Sequence, residues 1–407
     1  MSRLIFLGCV AYLVVGLGQL VVGTVMEPMV HAYGVQYGDG GQLVMNQFLG
    51  GLVGIVAAPW LMRQIGKKAL LLSALGLLTV VQFVYLSEPP WMVMLTIGPI
   101  AGFGFGTTEA VVGSFIIGAA GANANIAMSR VEVFFGVGAL LMPFAGAALI
   151  KAGYWKSAFG LVGSLAVVSI ILWTMFWPKV LDATLNGTEH SEEEKARTAP
   201  SRESNRKTLL LVLIPCSVFF AVYVGFEMSF VHYLPSVLVQ DSGMTESAAA
   251  LILSVYWGAM TLGRMVAGHA ADRWGGAAYL IWMCVACAVF SLVMGVWQGA
   301  TSTFVFTFLA GIAMSGMFAI ALVFANRAAP GMTEKTTSML MAFGGLGGAL
   351  LPKLTGWYLD EFGASATRWL FAILSVVMLG IIVWAVLAAK RARSGTGASD
   401  YRQISVQ

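Results

Sequence analysis

The residues able to do chemistry stand in apolar company. Glu109 follows Thr107 and Thr108 inside the otherwise uncharged apolar run 92–116. Glu132 comes two residues after Arg130, a spacing that does not share a helix face. Tyr223 and Glu227 are four apart and do share one. Gln19, Asn46 and Gln47 place amides in apolar runs, and Trp257 offers a flat indole. Glu27 precedes Pro28, while Arg264 and Lys353 are cations with apolar neighbours. Carboxyl groups exchange protons, amides donate and accept hydrogen bonds at once, and an aromatic face receives C–H groups. No Ser–His–Asp arrangement or His–Glu–His metal spacing stands out, and the glycine-rich runs lack the lysine and serine of a phosphate loop. This chemistry is that of holding and moving a small solute, not of bond cleavage, and no ATP-driven pump is expected.

Composition says what must position these groups. Of 407 residues, 58% are hydrophobic types and 10% are charged, against about 25% charged in an ordinary soluble domain. No soluble core hides that much apolar surface, but a bilayer accepts it. The net charge of +4 supplies no basic stripe for nucleic acid. Cys9, Cys216, Cys284 and Cys287 lie in apolar runs and read as small core residues rather than a disulfide framework. The first apolar run, Leu4 to about Val30, is too long for the core of a signal peptide and reads as a span.

A spanning helix needs about 20 apolar residues. Breaks at charges and turn formers predict twelve: 4–30, 42–62, 69–86, 92–116, 128–150, 158–178, 208–238, 246–271, 276–298, 303–325, 337–358 and 366–388. Helices are the expected form because unpaired backbone groups are costly in lipid. One set of loops carries Arg63, Lys67, Lys68, Lys179, Arg273, Arg327 and Lys335, and the tail adds Lys390, Arg391 and Arg393; the other set carries Lys151, Lys156 and Arg368. Positive charge collects inside, so both termini are expected in the cytoplasm of a multi-pass plasma-membrane protein. The organisation expected is an N-terminal six-helix bundle (1–178), a charged cytoplasmic linker (179–207), a C-terminal six-helix bundle (208–390) and a cytoplasmic tail (391–407). The halves echo one another: Arg63-Gln64-Ile65-Gly66-Lys67-Lys68 after span 2 matches Asp272-Arg273-Trp274-Gly275-Gly276 after span 8.

Gly263-Arg264, Gly268 and Asp272-Arg273-Trp274-Gly275 resemble the loop signature of the major facilitator superfamily. The first-half copy departs from it, with Arg63 where an aspartate usually stands. The run from Gly104 to Phe115, the run from Val131 to Leu140, Tyr223-Val224-Gly225-Phe226-Glu227 and Tyr256-Trp257-Gly258 are similar to the fucose–galactose–glucose:H+ symporters, above all their bacterial glucose/mannose members. The resemblance implies the twelve-helix major facilitator fold, a hexose substrate and proton coupling with no other cofactor. It implies the proton site at Glu109, since a span-4 glutamate at this motif position couples protons in the fucose branch. Glu132 falls where that branch has a sugar-contacting glutamine, and Gln47 fits the glucose-type pattern. The second acidic site of the fucose branch falls on Thr24 here, leaving Glu27 as a substitute or as a wetted helix end.

A charge at the bilayer centre costs at least about 2.5–3.5 kcal/mol, and a carboxyl held away from bulk water keeps its proton to higher pH. Glu109 and Glu27 are therefore the proton-coupling candidates. Gln19, Asn46, Gln47, Glu132, Tyr223, Glu227 and Trp257 are the substrate-binding candidates, and Arg130, Arg264, Asp272 and Arg273 the gating ones. A plainer role is open to each: a carboxyl bonded between helices, helix-packing glue for Tyr223 and Glu227, packing for Trp257, and pairing or snorkelling for Arg264 and Lys353. Uptake of a glucose- or mannose-like hexose is the leading expectation. Proton-driven export of an amphipathic compound is the alternative, since the same fold serves both. Beyond lipid and the sugar, no obligate partner is expected.

Overall fold

The computed structural model describes residues 2–120, 124–178, 181, 206–328 and 333–404. Most of the predicted linker, 179–207, lies outside them. The described residues form thirteen α-helices: α1 (Ser2–Thr24), α2 (Met26–Tyr33), α3 (Tyr37–Ile65), α4 (Lys67–Leu86), α5 (Trp91–Ala120), α6 (Ala124–Lys151), α7 (Ser157–Met175), α8 (Arg206–Ser242), α9 (Glu246–Trp274), α10 (Gly276–Val296), α11 (Ala300–Met314), α12 (Met317–Ala328) and α13 (Thr333–Ile404). Among the described residues, eleven helical stretches are long and apolar enough to cross a membrane. One of them, 336–391, has 56 residues. At 1.5 Å per residue it would reach about 84 Å, nearly three hydrocarbon thicknesses. It breaks at Gly363, whose φ of 77° is closed to most side chains. One span on each side of that break brings the eleven stretches to the predicted twelve.

Three expectations need correction. The run 4–30 is not one helix: α1 ends at Thr24, and Val25 separates it from α2. Pro28 is the cause, since its ring conflicts with the carbonyl four residues earlier, that of Thr24. Span 10 is likewise two helices, α11 and α12, parted at Ser315-Gly316. A Cβ at Gly316 would sit 2.7 Å from the Tyr279 hydroxyl, so the backbone turns there in close contact with α10. Arg368, counted above as a loop cation, is fully buried.

The chain forms two compact units that cut across its sequence halves. The first takes in the described residues of 1–197 together with 228–258 and 349–367. Its helices approach to backbone contact. A Cβ at Gly50, Gly102 or Gly106 would strike the main chain of Pro99, Gln47 or Gly51, so α3 and α5 touch through bare glycine faces. A Cβ at Gly16 would strike the carbonyl of Phe135, which seats α1 on α6 in the same way. The second unit takes in the described residues of 198–227, 259–348 and 368–407. In it, a Cβ at Gly347 would strike the carbonyl of Ala221, joining α13 to α8.

The echo between the halves reappears in the backbone. Gly66, between α3 and α4, has φ 83° and ψ 157°; Gly275, between α9 and α10, has φ 84° and ψ 135°. All four cysteines are buried and free.

Candidate functional site

The close approach of α1, α3, α5 and α6 brings polar side chains together in the first unit. The Tyr12 hydroxyl donates to the main-chain carbonyl of Glu109 at 3.1 Å, and its ring is buried. Glu132 of α6 lies near enough to Glu109 for the two carboxylates to repel, and both lie near the Tyr12 oxygen. Glu109 is half-buried, while Glu132 and Arg130 are exposed. The Cys9 thiol donates to the Arg130 carbonyl at 3.9 Å, tying α1 to the start of α6. Gln47 is buried in α3 beside the Tyr85 hydroxyl, with its amide nitrogen short of a partner at hydrogen-bonding distance. Such a buried donor is suited to a bound polar ligand. Gln19 is half-buried in α1. Trp257 is buried and meets Phe135 edge-on at 6.2 Å, so its ring packs on α6. Asn46 is committed inside the bundle: its nitrogen donates to the Leu95 carbonyl and its oxygen accepts from Gln42, each at 2.9 Å.

Glu27 belongs to a different cluster of the same unit. It is 3% exposed, and the Tyr37 hydroxyl donates to its Oε1 at 2.8 Å. His31 stands one turn on, 3.6 Å from Glu27 and 3.2 Å from Glu246 of α9. Sequence reasoning missed Tyr12, Tyr37 and His31 as members of these sets. A tyrosine in an apolar run carries no mark of its partner, although the spacing of Glu27 and His31, four apart, was a usable signal.

The second unit holds the other set. The Tyr223 hydroxyl reaches both the Met314 carbonyl, at 3.3 Å, and the Glu227 carboxylate. Arg264 of α9 is near enough to Glu227 to offset its charge, and its guanidinium touches the Met260 sulfur at 3.3 Å. Asp272 and Arg273 are exposed at the last turn of α9, apart from that set. The described residues contain no group of three or more His, Cys, Asp or Glu side chains able to hold a metal ion.

The sequence matches the Major Facilitator Superfamily over residues 8–306 and 216–403. It is 26% identical over 377 residues to the glucose/mannose transporter GlcP of Bacillus subtilis, covering 92% of this chain and 93% of that one. It is 24% identical over 143 residues to the sialic acid transporter NanX of Escherichia coli, about a third of each chain (35%). Among solved structures, a D-xylose-proton symporter superimposes with a TM-score of 0.76 at 13% identity, over 94% of this chain and 97% of its own. The nucleoside transporter NupG gives the same score, 0.76, at 12% identity, covering 94% of this chain and 99% of its own. At such identities the structures speak for the fold alone; the match over nearly the whole sequence speaks for descent. That match, together with the long apolar helices among the described residues, makes this chain a multi-pass membrane transporter, not an enzyme, and a member of the major facilitator superfamily.

Proposed function

We propose that this protein takes up a glucose- or mannose-like hexose together with a proton, by alternating access from a plasma membrane in which both termini face the cytoplasm. The observation that carries this reading is the end-to-end likeness to a glucose/mannose transporter. The local chemistry agrees with it. Within the first unit Gln47 supplies a buried donor for a sugar hydroxyl and the Trp257 ring suits a sugar face; within the second, taken by itself, Tyr223 and Glu227 supply a buried donor and acceptor. Glu109 of α5 has the Glu132 carboxyl of α6 as a near neighbour, so two carboxyl groups stand together at the proposed proton site. In this reading Glu109 is neutral for one crossing and ionised for release. One proton crossing about 100 mV releases about 2.3 kcal/mol, and at about 1.4 kcal/mol per decade this supports roughly 50-fold accumulation.

The test is uptake of labelled glucose into proteoliposomes, with and without an inward proton gradient, competed by mannose. Accumulation that needs the gradient and yields to mannose supports the reading. Sugar movement indifferent to pH on either side removes the symport, and absence of any sugar movement removes the substrate as well. Gradient-driven efflux of an amphipathic compound without sugar competition would replace both.

A further inference from the structure

The start of α3 is held by a helix more than 300 residues away in sequence. The first amides of any α-helix have no partner within it. At α3, Gln36 and Asp39 form a local capping box, but the Tyr37 and Gly38 amides both donate to one side chain of α13. Asp360 accepts from Tyr37 at 2.8 Å through Oδ1 and from Gly38 at 2.6 Å through Oδ2. Lys353, seven residues earlier and so on the same face of α13, donates to the Gly38 carbonyl at 2.8 Å. Gly356 lies between them on that face, and a Cβ there would come within 2.8 Å of the Tyr37 carbonyl carbon. On the other side a Cβ at Gly41 would come within 2.8 Å of the Lys353 Cα. Lys353, Gly356 and Asp360 thus form a stripe laid against the first turn of α3, backbone to backbone, all within the first compact unit.

The stripe joins the two sequence halves at the end that the loop charges assign to the outside. Its bonds can be exchanged with water. A recess of about 330 Å³, lined by Gln36, Asp39, Leu354 and Trp357 among others, opens beside Asp360 and Lys353. Both are half-buried rather than sealed.

We propose that Asp360 and Lys353 latch α13 onto the start of α3, and that this latch opens once in every transport cycle to admit substrate from outside. The proposal rests on the alternating-access reading above. With α13 withdrawn, two helix amides and a carboxylate face water, which solvates both. With α13 in place, the carboxylate sits at the positive end of the α3 dipole. The local capping box keeps α3 intact in either state, so the latch holds position rather than folds the helix.

The test follows exposure beneath the latch. Ser236 is fully buried in α8 beside the Glu27 carboxyl, to which the side chain of the latched Tyr37 donates. Ser236→Cys is placed in a full-length protein whose four native cysteines are replaced by alanine, and labelled in intact cells with a membrane-impermeant maleimide. Asp360→Asn is expected to raise the labelling rate roughly threefold or more by populating the open state, and Lys353→Met to raise it less. An unchanged rate in folded Asp360→Asn overturns the latch. Should Asp360→Asn not fold, a staple decides. A Cβ at Gly38 would lie 3.4 Å from the Trp357 Cα, within disulfide reach. Gly38→Cys with Trp357→Cys is expected to block uptake when oxidised and restore it on reduction. Uptake undiminished by the closed staple overturns the latch while leaving sugar transport standing. Labelling that rises in Asp360→Asn without any sugar uptake leaves the latch standing and removes the sugar.

Discussion

The hydroxyl of Tyr12 donates to the main-chain carbonyl of Glu109 at 3.1 Å, fixing α1 against α5 at the residue proposed to carry the proton. The bond goes to the main chain and not to the nearby Glu109 carboxyl, so the tyrosine sets the backbone from which that carboxyl hangs. Tyr12→Phe keeps the ring and removes the bond, a loss of about 1 kcal/mol. Gradient-driven uptake is expected to fall roughly fivefold while facilitated sugar exchange falls less. Counterflow and uphill uptake measured side by side separate the two; an equal loss in both makes Tyr12 a packing residue only.

Glu109→Gln removes the ionisable group and keeps its size and most of its hydrogen bonding. Uphill accumulation is expected to vanish while exchange of internal for external sugar persists, because exchange needs no net proton release. Undiminished accumulation in this variant sends the proton to another carboxyl, and the buried Glu27, bonded to Tyr37 at 2.8 Å, is the next to replace.

The spans were legible because lipid leaves one solution for a long apolar run, and Glu109, Glu132 and Glu227 were legible because a carboxylate in such a run demands a reason. The latch was not. Asp360 reads as a loop acid close to Gly363, and nothing local marks the Tyr37 and Gly38 amides 323 and 322 residues away as its donors. Arg368 misled for a related reason: counting charges beside a turn does not separate a wetted cation from one folded into the helix interface. The break after Thr24 was written in Pro28, four residues on, and hydropathy overrode it.

The paired turns carry their own expectation. Gly66 and Gly275 adopt nearly the same φ, 83° and 84°, in a region costing other residues about 1–3 kcal/mol. Neither has an atom within 4 Å of a would-be Cβ, so alanine meets conformational strain alone. Gly66→Ala and Gly275→Ala are each expected to lower the melting temperature of the purified protein in detergent, by similar amounts. A loss at one turn and none at the other would separate the two halves of the repeat.

Arg368 is the most deeply placed cation described, with no solvent exposure, and its Nη1 donates to the equally buried Thr303 hydroxyl at 2.7 Å. A hydrogen bond to a charged group contributes about 1.5–3 kcal/mol, and stripping one partner from a buried ion costs more than replacing the pair. Thr303→Val keeps the shape and deletes the acceptor, so it is expected to lower thermal stability clearly, whereas Thr303→Ser, which keeps the hydroxyl, is expected to stay near the parent. Adding Arg368→Met to Thr303→Val exchanges the ion and its acceptor for apolar groups. The double variant is then expected to be more stable than Thr303→Val alone, a non-additivity that a double-mutant cycle reads directly. Additive losses would show that the guanidinium is held by its other surroundings and that Thr303 matters little to it.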